Sequence, residues 1–146
     1  KLPVYGDGKN VRDWLFVEDH AKAIDMVQEQ GRLFETYNVG GHNEKQNIEI
    51  INIIIDTLQE MLPADDPRRA LVSKDLITYV EDRKGHDRRY AIAPDKIKAE
   101  IGWYPETDFA TGIKKTIAWF FEHEDWMKNV TSGDYQKYYD DMYANK

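Results

Sequence analysis

The sequence contains no cysteine. Disulfides and thiolate metal sites are therefore excluded, and a reducing compartment, the cytoplasm, is the expectation. Serine is scarce as well. Only Ser73 and Ser132 occur, and neither stands in the Gly-x-Ser-x-Gly setting of a nucleophile elbow. No apolar run is long enough to cross a bilayer, so a membrane is not an expected partner. Lysine and arginine never form a block longer than a pair, and the formal net charge is −7. Both features argue against a nucleic-acid footprint. His20, His42, His86 and His123 lack metal-ligand spacing, and no metal is expected. No Gly-x-x-Gly-x-x-Gly loop follows a strand, so no dinucleotide fingerprint is expected here. Gly6-x-Gly8-Lys9 does not replace it, because it lacks the spacing of a P-loop.

What remains is an ordinary folded composition. The 146 residues are 41% apolar and 32% charged, enough for one portion with a real core. Lys1 is followed at once by strand-like residues, and the expectation is a piece of a longer chain. Leu2–Tyr5 reads as a strand and Val11–Val17 as a second extended piece. The Gly6-Asp7-Gly8 turn between them reads as a hairpin turn. Val17–Gln30 reads as a helix with Glu18 and Asp19 in its first turn, ended by Gly31. Glu35–Val39 reads as a strand, and Gly40–Gln46 as a polar loop. Asn47 stands as N-cap before a helix through about Leu62, its isoleucines spaced for burial on most of its surface. More partner surface is needed for that burial than the chain offers. Leu76–Val80 reads as a strand, Pro94–Ile101 as a short helix with proline at its first position, and Phe109–Trp126 as a long helix capped by Thr107 or Asp108. Gly133–Tyr143 reads as a last amphipathic helix. The aromatic stripe of Trp119, Phe120, Trp126, Tyr135, Tyr138 and Tyr139 reads as packing rather than as a ligand platform.

Two stretches carry residues suited to chemistry. Arg12 sits on a short rigid segment between bulky neighbours, where its planar fork of donors suits a phosphate. Pairing with Asp13 or Asp19 is the other reading. The second stretch, Arg83-Lys84-Gly85-His86-Asp87-Arg88-Arg89-Tyr90, is a positive spot in an acidic protein. It follows a strand end, where α/β proteins collect ligands. Arg83 and His86 are expected to face one pocket, with Arg88 and Arg89 alternating in side. A diphosphate suits such a spot; a solvated loop salt-bridged to Glu81, Asp82 and Asp87 is the competing reading.

These residues also carry a resemblance. Pro3-Val4-Tyr5-Gly6-Asp7-Gly8 through Arg12-Asp13-Trp14 and Val17-Glu18-Asp19 is similar to the start of the substrate-binding part of extended short-chain dehydrogenase/reductase enzymes acting on nucleotide sugars. Tyr37-Asn38-Val39-Gly40-Gly41-His42-Asn43-Glu44-Lys45, Tyr79-Val80-Glu81-Asp82-Arg83 with Gly85-His86-Asp87 and Arg89-Tyr90, and Gly102-Trp103 with Pro105 resemble the dTDP-glucose 4,6-dehydratase branch. One departure is Ala93-Pro94, where that branch more often has a capping aspartate.

The resemblance implies an α/β fold class: the C-terminal substrate-binding part of such an enzyme, mostly helices with a few short strands, without the N-terminal Rossmann half. Residues 1–146 would be one nucleotide-sugar-binding portion. It implies contacts with dTDP-glucose or dTDP at Pro3 and Tyr5 (nucleotide end), Arg12 (diphosphate), Asn47 (helix start), Arg83 and His86 (second grip) and Tyr143 (a late tyrosine closing the pocket). It implies NAD bound by the N-terminal half, a homodimer for the full-length enzyme, and a Tyr-x-x-x-Lys pair in the first half, no such pair being read in this chain. The whole enzyme would convert dTDP-glucose to dTDP-4-keto-6-deoxyglucose, a precursor of deoxysugars such as rhamnose. A UDP- or GDP-sugar epimerase, dehydratase or decarboxylase, or a non-catalytic nucleotide-binding module, are the alternative readings.

Overall fold

Short β-prone runs and longer apolar-periodic runs alternate along this chain, and the backbone follows them. A computed structural model describes residues 1–133 and Lys137. Its elements are β1 (Leu2–Tyr5), β2 (Val11–Asp13), α1 (Val17–Gln30), β3 (Glu44–Gln46), α2 (Asn47–Met61), β4 (Ile77–Val80), α3 (Asp95–Ile101), α4 (Phe109–Glu122) and α5 (Glu124–Thr131). Short 3-10 turns at Pro67–Leu71 and Lys74–Leu76 lead into β4. The chain is mostly helical with a few short strands, as expected. By its contacts it forms two compact units, Lys1–Ile113 and Lys114–Lys146, where the sequence was read as one portion. Tyr143 and the helix expected over Gly133–Tyr143 lie outside the described residues, Lys137 and Gly133 apart.

In the first unit β1 does not form a hairpin with β2. It pairs in parallel with β4, Leu2 opposite Ile77 and Tyr5 opposite Val80. Strand β2 pairs antiparallel with β3, Val11 opposite Gln46 and Asp13 opposite Glu44. Gly6 and Gly8 do take positive φ, 56° and 70°, as the turn chemistry demands. The turn hands the chain from one sheet to another because its polar groups are claimed elsewhere. Gly6 N–H donates to Val80 O (3.0 Å), Ile48 N–H donates to Gly8 O (2.9 Å) and Asn47 N–H donates to Asn10 O (3.0 Å). A side chain on Gly6 would also meet the Asp82 carboxylate, 2.8 Å from the Cβ position.

Helix α2 begins one residue earlier than expected. Gln46 is the N-cap and Asn47 the first helical residue. The reason is a capping box: Glu49 Oε2 accepts from Gln46 N–H at 2.7 Å while the Gln46 side chain accepts from the Glu49 backbone. Ile50, Ile55 and Leu62 are buried, whereas Ile51, Ile53 and Ile54 are only partly so. Helix α1 spans the expected Val17–Gln30. Gly31 ends it in extended conformation rather than left-handed, and is required because a Cβ there would collide with the Val27 carbonyl oxygen.

The core of this unit lies between α1 and α3: Ala23, Ile97, Ile101 and Trp103 are buried, with Leu15, Met26, Val27, Tyr37 and Val39 packed against them. Trp103 is 1% exposed, and its indole N–H donates to Asp19 O at 3.1 Å. The expected strand over Glu35–Val39 does not form. Tyr37 and Val39 contribute packing to the core, but no described strand lies alongside to complete a ladder. Strand β3 forms instead inside the stretch read as a loop. Pro94 is the N-cap of α3 rather than its first residue.

The long helix expected over Phe109–Trp126 is broken. Asp108 starts it, accepting from Thr111 N–H (2.9 Å) and Thr111 Oγ1 (2.7 Å). His123, at φ −122° and ψ 42°, separates α4 from α5. In the second unit Trp119 stacks on the His123 ring (4.2 Å) and meets Trp126 edge-on (5.2 Å). Among the described residues no helix is long and apolar enough to cross a membrane.

Trp103 is the largest side chain in this core, so Trp103→Ala is expected to lower the unfolding free energy by about 3–5 kcal/mol. Urea denaturation checks this, and a loss below about 1 kcal/mol, the scale of a surface change, would place the core elsewhere.

Candidate functional site

Where β4 ends at Val80 the chain runs on through Asp82–Tyr90, and this strip gathers most of the candidate residues. The Arg83 guanidinium lies over the Tyr5 ring, 5.0 Å from its centroid. The His86 ring meets the same Tyr5 edge-on at 6.3 Å. Arg83 Nη2 donates to His86 Nε2 at 2.9 Å. A guanidinium has no acceptor, so that nitrogen must be bare and the imidazole proton sits on Nδ1. From there it is donated to Asp82 Oδ1 at 2.6 Å. The His86 side chain is only 6% exposed, so the relay Asp82–His86–Arg83 is held rigidly. The bond from His86, then the Arg83 backbone N–H, holds the Asp82 carboxyl below its ordinary value. Tyr5, Arg83 and His86 thus form one cluster.

Arg12 is anchored to the other end of the strip. It projects from β2, and Val11 bridges in parallel to Arg89. Val11 N–H donates to Arg88 O (2.8 Å) and Tyr90 N–H to Val11 O (3.1 Å). Arg12 Nη1 donates to Val11 O at 2.7 Å and Nη2 to Asp87 O at 3.0 Å. Its guanidinium rests on the Tyr90 ring, 4.4 Å from the centroid. The pairing of Arg12 with Asp13 or Asp19 does not occur, because both carboxylates bind backbone. Asp13 accepts from Gly41 N–H (2.7 Å) and Asn43 N–H (2.9 Å). Asp19 accepts from Thr107 N–H (2.9 Å).

The charged strip is divided in its loyalties. Arg88 forms a two-pronged ion pair with Asp7 (2.7 and 3.1 Å), and Arg89 pairs with Glu44. These are not the partners Glu81, Asp82 and Asp87 that a self-neutralising loop would use. Arg12 and Arg83, by contrast, are held by carbonyls, aromatic faces and a neutral imidazole, and neither forms an ion pair with a carboxylate side chain among the described residues. Neither guanidinium is tied up by a carboxylate at ion-pair distance, which leaves N–H groups for anion recognition.

Pro3 lies on β1 opposite Thr78, two residues from Tyr5 and so on the same strand face. Asn47 is at the first turn of α2, tied through its backbone to Asn10; its side chain has no described contact with the two arginines. A surface hollow of about 630 Å³ is lined by His20, Tyr37, Asn38, Val39, Ala91, Ile92 and Ala93, and holds none of the candidates. Sequence reasoning missed Asp82, Asp87 and Tyr90 as supports. The Asp82-x-x-x-His86 spacing was the signal for the first of them. It also passed over Tyr5-x-x-x-Lys9, the one Tyr-x-x-x-Lys spacing in the chain. That pair straddles the end of β1 and the Gly6–Gly8 turn, not successive turns of a helix. Among the described residues no cluster of three His, Asp or Glu side chains could hold a metal.

Comparison with known proteins bears on the family and the fold. The family profile described as GDP-mannose 4,6 dehydratase matches residues 1–116. A dTDP-glucose 4,6-dehydratase of Shigella flexneri is 48% identical over 99% of this chain, which spans 39% of that relative. A dTDP-glucose 4,6-dehydratase of Bacillus anthracis, solved in complex with NAD, is 46% identical with a TM-score of 0.75, over 90% of this chain and 38% of that one. The enzyme of the same description from Streptomyces venezuelae, solved with NAD and dTDP bound, is 38% identical with a TM-score of 0.74, over 86% of this chain and 35% of that one. The match lies in the C-terminal part of these extended short-chain dehydrogenase/reductase enzymes.

The Asp7–Arg88 bond holds the Asp7 carboxyl at about 2, down from 3.8. With the folded value below the unfolded one, this pair's contribution to stability is complete above 3.8 and is lost as pH falls toward 2. Carbon NMR titration of Asp7 is expected to show a midpoint near 2 that rises toward 3.8 in Arg88→Ala, the Lys9 N–H still holding part of the shift; an unchanged midpoint in the variant would separate Asp7 from Arg88.

Proposed function

This chain belongs to the GDP-mannose 4,6 dehydratase family, and from that premise we propose that residues 1–146 are the nucleotide-sugar-binding portion of a dTDP-glucose 4,6-dehydratase. The observation that carries the reading is a pair of arginines that form no ion pair with a carboxylate side chain among the described residues. Arg12 on β2 and Arg83 on the strip after β4 are each fixed by neutral groups, in a protein of net charge −7 that has other carboxylates to offer. Two rigid guanidiniums withheld from carboxylates suit a diphosphate. The dTDP-glucose 4,6-dehydratases of 46% and 38% identity support the choice of nucleotide.

In this reading Arg12 takes one part of the diphosphate, and Arg83 with His86 takes the other. Pro3 and Tyr5 line the nucleotide end, Asn47 gives a polar contact at the start of α2, and Tyr143 closes the pocket. The parent is a lyase of the cytoplasm, acts as a homodimer, and releases water from dTDP-glucose to give dTDP-4-keto-6-deoxyglucose, a deoxysugar precursor on the way to sugars such as rhamnose. NAD would be held by the N-terminal portion of the parent and would supply the hydride chemistry there; no residue of this chain is assigned to it. The chain's contribution is remote binding energy. Gripping the non-reacting diphosphate fixes where the glucose sits, and such positioning raises the rate as well as the affinity. The 146 residues alone are catalytically silent in this reading, and formation of the 4-keto sugar by them alone would overturn that part of it.

Calorimetric titration of dTDP into the full-length protein tests the site. Arg12→Ala and Arg83→Ala are each expected to weaken binding by about 1.5–3 kcal/mol, the scale of a charged hydrogen bond. UDP and GDP are expected to compete less well than dTDP. Unchanged dTDP affinity in both variants would remove the diphosphate from these arginines, and preference for GDP or UDP would move the protein to another branch of the family.

A further inference from the structure

Arg12 is aimed by a third residue to which the reading so far gives no role. Its guanidinium carries five N–H groups. One on Nη1 goes to Val11 O (2.7 Å) and one on Nη2 to Asp87 O (3.0 Å). One face of the plane is covered by the Tyr90 ring at 4.4 Å. Two carbonyls and a ring face fix the orientation of a side chain that otherwise loses much rotamer freedom on binding. They do so without cancelling its charge, and the remaining N–H groups and the opposite face stay available.

Asp87 is the group that should cancel that charge. Its backbone carbonyl already touches Arg12, so its carboxylate lies only a few bonds away. Yet the carboxylate is engaged elsewhere: Tyr90 Oη donates to Asp87 Oδ2. That bond also raises the Tyr90 phenol above its ordinary value, so the hydroxyl keeps its proton and remains a donor. Tyr90 is in turn tied down by its own N–H on Val11 O (3.1 Å). The other carboxylates near the strip are occupied in the same way, Asp7 by Arg88, Glu44 by Arg89 and Asp82 by His86.

We infer that Tyr90 is a positioning residue for anion recognition: its ring is the shelf on which Arg12 lies flat, and its hydroxyl holds the Asp87 carboxylate away from Arg12. The inference rests on the proposed role of Arg12 as a diphosphate grip. Its two halves separate by substitution. Tyr90→Phe keeps the shelf and releases Asp87, which then pairs with Arg12 and competes with the ligand. Tyr90 is 51% exposed and is not among the buried core residues, so the loss of one hydroxyl leaves the fold intact, as circular dichroism verifies.

Calorimetric titration of dTDP into the full-length protein is the test. Tyr90→Phe is expected to weaken binding about tenfold, the effect of losing most of one charged hydrogen bond. Asp87→Asn added to Tyr90→Phe removes the competing charge and is expected to restore most of that loss. In an Arg12→Ala background neither change is expected to alter dTDP affinity by as much as twofold. A purely structural role for Tyr90 would weaken binding equally in both backgrounds and would not be rescued at Asp87; either result overturns the inference, as does an unaltered affinity in Tyr90→Phe. If Arg12→Ala by itself leaves dTDP affinity unchanged, it is the reading of Arg12 as the grip that fails, and the role of Tyr90 fails with it.

Discussion

Five residues of backbone, Gly6 to Asn10, with Val11 beyond them, hold the first unit together. Gly6 N–H takes the last carbonyl of β4, and Gly8 and Asn10 carbonyls take the first N–H groups of α2. Val11 exchanges bonds with Arg88 and Tyr90. Asn10 is buried, with its side-chain amide on Asp87 O. Every one of these bonds replaces a backbone group that would otherwise be left bare, and a buried bare group costs a sizeable part of a domain's net stability. The same bonds fix the strip that carries Arg83 and His86 against the strand that carries Arg12. The fold and the site are therefore one set of hydrogen bonds.

Charge is distributed over this scaffold by the same logic. The strip and β2 together carry two kinds of arginine. Arg88 and Arg89 stitch the strip to the turn and to β3 through Asp7 and Glu44. Arg12 and Arg83 are oriented by carbonyls, rings and a neutral imidazole. Surface ion pairs contribute little each, so the first kind matters for where it places the backbone. The second kind matters because an arginine already satisfied by a carboxylate would have to break that bond before meeting an anion.

How much of this was legible in the sequence follows from the range of each interaction. Helices α1 and α2 were readable because their signals are local: a spacing of apolar residues, acids in the first turn, a breaker at the end. Strand β1 was readable as a strand but not as the partner of β4, because nothing near Tyr5 announces a partner at Val80. Gly6-Asp7-Gly8 has the composition of a hairpin turn, and only the long-range demands of β4 and α2 redirect it. Glu35–Val39 has strand composition, yet a strand needs a neighbour, and none of the described residues supplies one. The helix break at His123 carried no proline or glycine to mark it. At the site, the residue types of Arg12, Arg83 and His86 were visible, whereas the supports Asp82, Asp87 and Tyr90 became visible only once it was known which carboxylate each base did not take.

The parallel pairing of β1 with β4 has a consequence for the order in which the chain takes shape. During synthesis β1 leaves the ribosome well before Ile77–Val80 exists. Helices α1 and α2, whose bonds are local, have time to form in that interval, before β1 can meet β4. Contacts between distant segments are the slow ones in folding, and an exposed edge is where stray strands attach. The brevity of β1, four residues with Pro3 removing a donor from its middle, blunts that edge. A strand that must wait for its partner is thus built to be a poor partner for anything else.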